Sequence, residues 1–97
     1  MDVIKEKIIE KLKTVFDPEI PVNIYDLGLI YDLKIDGRNV GITMTFTSMT
    51  CPAGPMIEMQ VKEAMSSLGM EAKINLVWEP AWTPEKMSDA AKATLGI

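Results

Sequence analysis

The sequence predicts an α+β fold, a two-layer sandwich of order α-β-β-α-β-α whose three-stranded sheet carries its helices on one face. Three observations predict it. Apolar residues recur at helical spacing in two long segments and one short one, they alternate with polar residues in three others, and turn residues separate the six. At 97 residues the chain, 1–97, is one domain, well below the roughly 250 residues at which cores divide.

From Asp2 to Phe16 the residues Ile4, Ile8, Leu12 and Val15 form an apolar stripe, with Asp2 placed to cap and lysines and glutamates solvating the rest. This is the first helix. Pro18 and Pro21 forbid its continuation, since each lacks an amide donor and biases the residue before it away from helix, so Asp17 to Gly28 is a loop. From Leu29 the period becomes two: Leu29, Tyr31, Leu33 and Ile35 face one way, Asp32 and Lys34 the other. Asp36-Gly37-Arg38-Asn39 supplies a turn. Alternation resumes with Val40, Ile42, Met44 and Phe46 against Gly41, Thr43, Thr45 and Thr47, completing a hairpin. After the link Ser48-Met49-Thr50-Cys51, Pro52 and Pro55 suit a first helical turn, and Ile57, Val61, Ala64, Met65 and Leu68 give an apolar face that ends at Gly69. Ala72, Ile74, Leu76 and Trp78 alternate as a third strand. The stiff turn Glu79-Pro80-Ala81-Trp82-Thr83-Pro84 leads into a short helix from Glu85 to Leu95, closed by Gly96.

Composition excludes several classes of function. Fourteen acidic against ten basic residues, with Arg38 the only arginine, leaves no electrostatic footprint for nucleic acid or an anionic membrane. No apolar run approaches the roughly 18 residues of a membrane span, and the charged N-terminus does not read as a signal peptide. The absence of histidine removes histidine triads and the commonest ligand of zinc, copper and mononuclear iron. One cysteine cannot form an internal disulfide, and a free thiol suits the reducing cytoplasm.

Chemistry therefore centres on Cys51. It precedes the second helix, whose unpaired amides and positive dipole end favour thiolate over thiol. Free cysteines often only pack, but one flanked by Thr47, Ser48, Thr50 and Pro52 is poorly suited to filling a core. Asp17 and Glu19, on a loop stiffened by Pro18, either orient a thiol, accept a proton or add oxygen ligands, or else serve as a turn residue and a solvated charge. On an exposed loop, exchanging both for their amides would leave stability within about 1 kcal/mol. Asp26 reads as a side-chain turn and Gly28 as a special backbone angle. The eight methionines, Met44, Met56, Met59 and Met65 among them, could form a soft-metal surface, but their spacing mostly matches core positions and they read as packing. Trp78 and Trp82 flank a proline and read as clamps of the last helix onto the sheet.

Three segments in order, DPEIPVNIYDLGLIYDLKI from Asp17, MTFTSMTCP ending at Pro52 and LVWEPAWTPEKMS from Leu76, resemble the SufT-like and PaaD-like family of iron-sulfur maturation (metal-sulfur cluster biosynthesis) proteins. The resemblance covers nearly the whole chain. It implies a fold similar to the NifU C-terminal domain and a part in assembling or delivering clusters, without established turnover. It places Asp17 and Glu19 on the family's acidic loop, Thr47 and Ser48 on its hydroxyl pair, and Cys51 on its cysteine before proline, the metal ligand of that constellation. Many members carry proline after the hydroxyl pair where this chain has Met49. Members that serve multicomponent oxygenases often add a cysteine-bearing region, to which nothing here corresponds, so the short maturation-factor branch fits better.

The expected function is an accessory or carrier protein that meets the assembly machinery and client apoproteins, acting through Cys51 with Thr47, Ser48, Asp17 and Glu19 around it. Iron-sulfur clusters usually take four thiolates and one chain offers one, so a cluster is held transiently, or shared between chains as a homodimer. Two rivals remain: a thiol-dependent enzyme with Cys51 as nucleophile and Asp17 or Glu19 as base, and a structural adaptor of a maturation or oxygenase complex.

Overall fold

The chain folds in the predicted order. The computed structural model describes residues 2–18, 20–47 and 53–96, the side chains of residues 2–4 excepted. Among them the elements run α1 (Asp2–Leu12), β1 (Ile30–Asp36), β2 (Asn39–Met44), α2 (Gly54–Ser66), β3 (Glu71–Leu76) and α3 (Asp89–Leu95), with a 3₁₀ turn at Pro84–Lys86. The expected cap at Asp2, the place of Ile4 in the apolar stripe and the role of Pro52 in opening the second helix lie outside the described residues.

Strand β1 pairs antiparallel with β2, and Asp36 faces Asn39, which leaves Gly37-Arg38 as a two-residue turn with Gly37 at φ +60. Strand β3 lies parallel to β2 on its other side, as a strand-helix-strand crossover through α2 requires. Register puts Leu33, Ile42 and Ile74 in one row and Ile35, Val40 and Ala72 in the next. That face meets the helices. The opposite face carries Asp32, Thr43 and Asn75, then Lys34, Gly41 and Lys73, and stays polar.

The core joins this inner face to α1 and α2. Ile8 and Leu12 from α1, Ile57, Val61 and Met65 from α2, and Val40, Ile42 and Met44 from β2 are all 0% exposed. Each such side chain contributes about 1.5–3 kcal/mol by leaving water. Helix α2 ends in a Schellman arrangement: Gly69, at φ +74, donates to the Ser66 carbonyl and Met70 to that of Met65.

The structure corrects four boundaries. Helix α1 stops at Leu12 rather than Phe16, because Thr14 donates both its N–H (3.0 Å) and its hydroxyl (2.6 Å) to the Lys11 carbonyl and tightens the last turn. Val15 is buried all the same, but from the loop. In β1 the pairing shifts from Ile30↔Met44 to Asp32↔Thr43, so Tyr31 is the extra residue of a β-bulge and does not share one strict alternation with Leu33 and Ile35. Thr45 is 1% exposed instead of facing solvent, because β2 has ended and the chain passes into the interior. The last helix divides: Met87 is extended, and Ser88 caps α3 by accepting the Ala91 amide at 3.1 Å, so helix begins only at Asp89.

Candidate functional site

Hydrogen bonds gather the exits of α1 and β2 at one end of the molecule. The Val15 carbonyl accepts from Ile24 N at 2.9 Å, the Ile24 carbonyl from Leu29 N at 3.1 Å, and the Leu29 carbonyl from Thr45 N at 2.9 Å. An isolated bridge between Phe16 and Asn23 closes the proline-bearing loop. Asp17 sits inside this loop at 4% exposure and is engaged with a partner, so it is not the exposed carboxylate the sequence suggests.

The start of α2 reaches the same end. Phe46, 7% exposed, lies against Gly54, where an added Cβ would fall 2.7 Å from the ring carbon Cε2. Only glycine permits that approach. The Trp78 ring meets Phe46 edge-on at 6.1 Å and 63°. Thr47, half-buried, follows Phe46. Asp17, Thr47 and the first turn of α2 thus occupy one end of the fold. Glu19, Ser48 and Cys51 lie outside the described residues; in sequence, Cys51 stands two positions before Ala53, the N-cap of α2.

The electrostatics of that helix end are simple. Ala53 offers no side-chain cap, Pro55 brings no amide to the first turn, and no acidic residue stands there. A helix N-terminus carries the equivalent of roughly half a positive charge, so this one favours an anion beside it. Among the described residues no three carboxylates or thiols gather as a metal site.

A strap formed by residues 77–88 was not legible as such. Val77 N donates to the Met44 carbonyl at 2.9 Å, the Tyr31 hydroxyl to that of Pro80 at 2.6 Å, and Trp82 Nε1 to that of Leu27 at 2.8 Å. Ser88 N donates to the Asp26 carbonyl at 2.8 Å. The tryptophans therefore clamp the strap to Phe46 and to the 24–28 loop, not α3 to the sheet. Gly28, at φ +87, has no room for a Cβ beneath the Lys86 carbonyl. The side-chain turn expected of Asp26 is made by Asn23 instead, whose Oδ1 accepts the Asp26 amide at 2.8 Å while its Nδ2 donates to Asp26 Oδ2 at 2.8 Å. Lys86 Nζ stands 5.1 Å over the Tyr31 ring, and burial pushes the Tyr31 phenol above its ordinary pKa. A second miss concerns methionine. Met44 and Met65 pack in the core, but Met56 and Met59 are 53% and 60% exposed on the outer side of α2.

Comparison with known proteins agrees with this architecture. The chain is 44% identical to "Fe-S protein maturation auxiliary factor YitW" of Bacillus subtilis over 99% of its own length and 97% of that protein's. It is 42% identical to "Fe-S protein maturation auxiliary factor SufT" of Staphylococcus aureus over 86% of its length and 98% of that protein's. A crystal structure of a domain of unknown function, DUF59, from Bacillus anthracis superposes with a TM-score of 0.91 at 41% identity, covering 99% of this chain and 94% of that one. Residues 5–76 match the family described as iron-sulfur cluster assembly protein, and the chain belongs to that family.

Proposed function

We propose that this protein is an accessory factor of iron-sulfur cluster assembly that takes a cluster on Cys51 and passes it to client apoproteins, as a carrier and not an enzyme. The relatives named as maturation auxiliary factors support the general role. The observation that carries the specific reading is the α2 N-terminus, uncapped by any described side chain, free of acidic residues in its first turn and with its N-cap Ala53 two positions after the single thiol. An anionic ligand bearing sulfide and thiolate is favoured at such a helix end.

In this reading Cys51 supplies the iron-binding thiolate, and Thr47 and Ser48 offer hydroxyl donors to the cluster's sulfides. Glu19 borders the loop, and buried Asp17 holds it in shape. The cluster is cargo. One thiolate per chain against the usual four means that the remaining ligands come from a second copy, a partner protein or small thiols. Incomplete ligation makes the cargo exchangeable, as transfer requires. A cysteine nucleophile in the chain would have no histidine to activate it, which favours the carrier over the thiol enzyme.

Anaerobic reconstitution with iron and sulfide, followed by visible absorption and native mass spectrometry, tests the reading. A cluster shared by two chains and lost in Cys51→Ser is expected. A cluster retained by Cys51→Ser, or held by one chain without added thiol, would refute it.

A further inference from the structure

Among the described residues, strand β1 pairs with β2 alone and forms one margin of the sheet. The ladder decides which of its backbone groups are left over. The Arg38 and Met44 carbonyls accept from Glu71 and Val77 at 2.7 and 2.9 Å, so even-numbered positions here turn their backbone to β3, and Asn39, Gly41 and Thr43 turn theirs to β1. Their partners are Asp36, Lys34 and Asp32. Leu33 and Ile35, which alternate with these, point N–H and C=O away from the sheet, and no described residue bonds to them. The bulge at Tyr31 lies before them, so this stretch of edge is regular and is a template for a further strand.

The same edge borders a trough that runs from α1 to the strap. Its floor near β1 is Ile9, Ile30 and Leu33, each half-buried, and its walls are Tyr25 and Tyr31. Lys13 Nζ stands 5.6 Å over the Tyr25 ring, Lys86 Nζ 5.1 Å over the Tyr31 ring, and Lys5 lines the α1 side. Among the described residues none of these three ammonium groups is ion-paired. Two carboxylates border the trough, but Asp26 is engaged by Asn23 Nδ2 at 2.8 Å, and Asp32 belongs to the row of Thr43 and Asn75 on the open face. In a chain of fourteen acidic and ten basic residues, three unpaired cations around one trough reverse the overall sign locally.

We propose that the β1 edge takes an extended, acidic segment of a partner protein as a fourth strand. Main-chain bonds to Leu33 and Ile35 supply the pairing, alternate apolar side chains cover Ile9, Ile30 and Leu33, and carboxylates meet Lys5, Lys13 and Lys86. The outer edge of β3, where Ala72, Ile74 and Leu76 face away by the same alternation, has no such setting: Glu71, Lys73 and Asn75 beside it carry both signs. The proposal goes beyond the carrier reading and is independent of how Cys51 handles metal.

The probe is an end-blocked octapeptide of alternating glutamate and valine, titrated into the isotope-labelled, metal-free protein in reductant and followed by NMR. Saturable shifts and slowed amide exchange at Leu33 and Ile35 are expected, with an affinity that falls as salt is added. The variant Lys5→Gln/Lys13→Gln/Lys86→Gln, changed only at exposed positions, should keep its amide spectrum and raise the dissociation constant at least about tenfold, or 1.4 kcal/mol. The same peptide with its valines N-methylated keeps its charge but loses the donors of the ladder, and should weaken by at least about the same factor. No binding into the millimolar range would overturn the proposal. So would protection of Ala72, Ile74 and Leu76 in place of Leu33 and Ile35, full affinity in the triple variant, full affinity of the methylated probe, or equal affinity for the lysine-valine counterpart.

Discussion

Replacement of Gly54 by alanine tests whether Phe46 fixes the start of α2. An added Cβ would lie 2.7, 3.2 and 3.3 Å from Cε2, Cζ and Cδ2 of the Phe46 ring. Carbon atoms prefer roughly 3.5–4.0 Å, so the ring or the helix turn must shift by about 1 Å. Phe46 is 7% exposed with Trp78 edge-on at 6.1 Å, so the ring has no free direction to take. Overpacking of this kind costs about 1–3 kcal/mol, while alanine gains up to about 1 kcal/mol of helix propensity and less in a first turn. The net loss should be about 1–2 kcal/mol, a fall in Tm of roughly 5–15 °C for a domain of this size. Urea unfolding of Gly54→Ala, Phe46→Leu and the double variant measures the coupling. In the Phe46→Leu background the alanine should become neutral or stabilising, an interaction energy of at least about 1 kcal/mol. An alanine that is harmless beside Phe46, or equally costly in the Phe46→Leu background, would refute the wedge.

Asp17→Asn should cost about 1–3 kcal/mol in urea unfolding, because the residue is buried and engaged with a partner, and a change under 0.5 kcal/mol would show that its carboxyl group carries none of that interaction. Because the folded protein raises the Tyr31 pKa above its ordinary 10.0, its share of stability is complete below pH 10 and is lost as pH climbs through the raised value. Thermal melts from pH 8 to 11.5 should show a decline that Tyr31→Phe lessens, and identical profiles for the two proteins would refute the assignment.

Periodicity made the elements legible because burial enforces it. Val40, Ile42 and Met44 alternate since their face is covered, and Ile57, Val61 and Met65 recur since theirs packs on it. What escaped depended on contacts distant in sequence. The bulge at Tyr31 follows from its register with β2, and the strap from Trp82 reaching Leu27, 55 residues away. Neither leaves a local periodic signature. The burial of Asp17 was hidden for the same reason, since charge and proline neighbours mark a loop but not which way its side chains turn. Met56 and Met59 misled in the opposite sense: their spacing along α2 is compatible with a core stripe, yet the helix turns Ile57 and Val61 inward and leaves these two outside.

Under the carrier function proposed above, the ties around the site end bear on how cargo would be released. Release can come from a loose scaffold or from a deficient ligand set, and the two place different demands on the fold. Here the frame is closed: the hydrogen bonds from Val15 through Ile24 and Leu29 to Thr45 fix one side, and Phe46 against Gly54 and Trp78 fixes the other. The strap secures the first side again through Leu27 and Asp26. A frame held in this way lowers the ordering cost for whatever docks on its rim, so affinity is not lost to reorganisation. In the proposed carrier, the lability that transfer needs would then follow from the single thiol, not from the fold. On this account a well-packed domain with an incomplete site is the expected construction, because rigidity serves recognition while the missing ligands serve release.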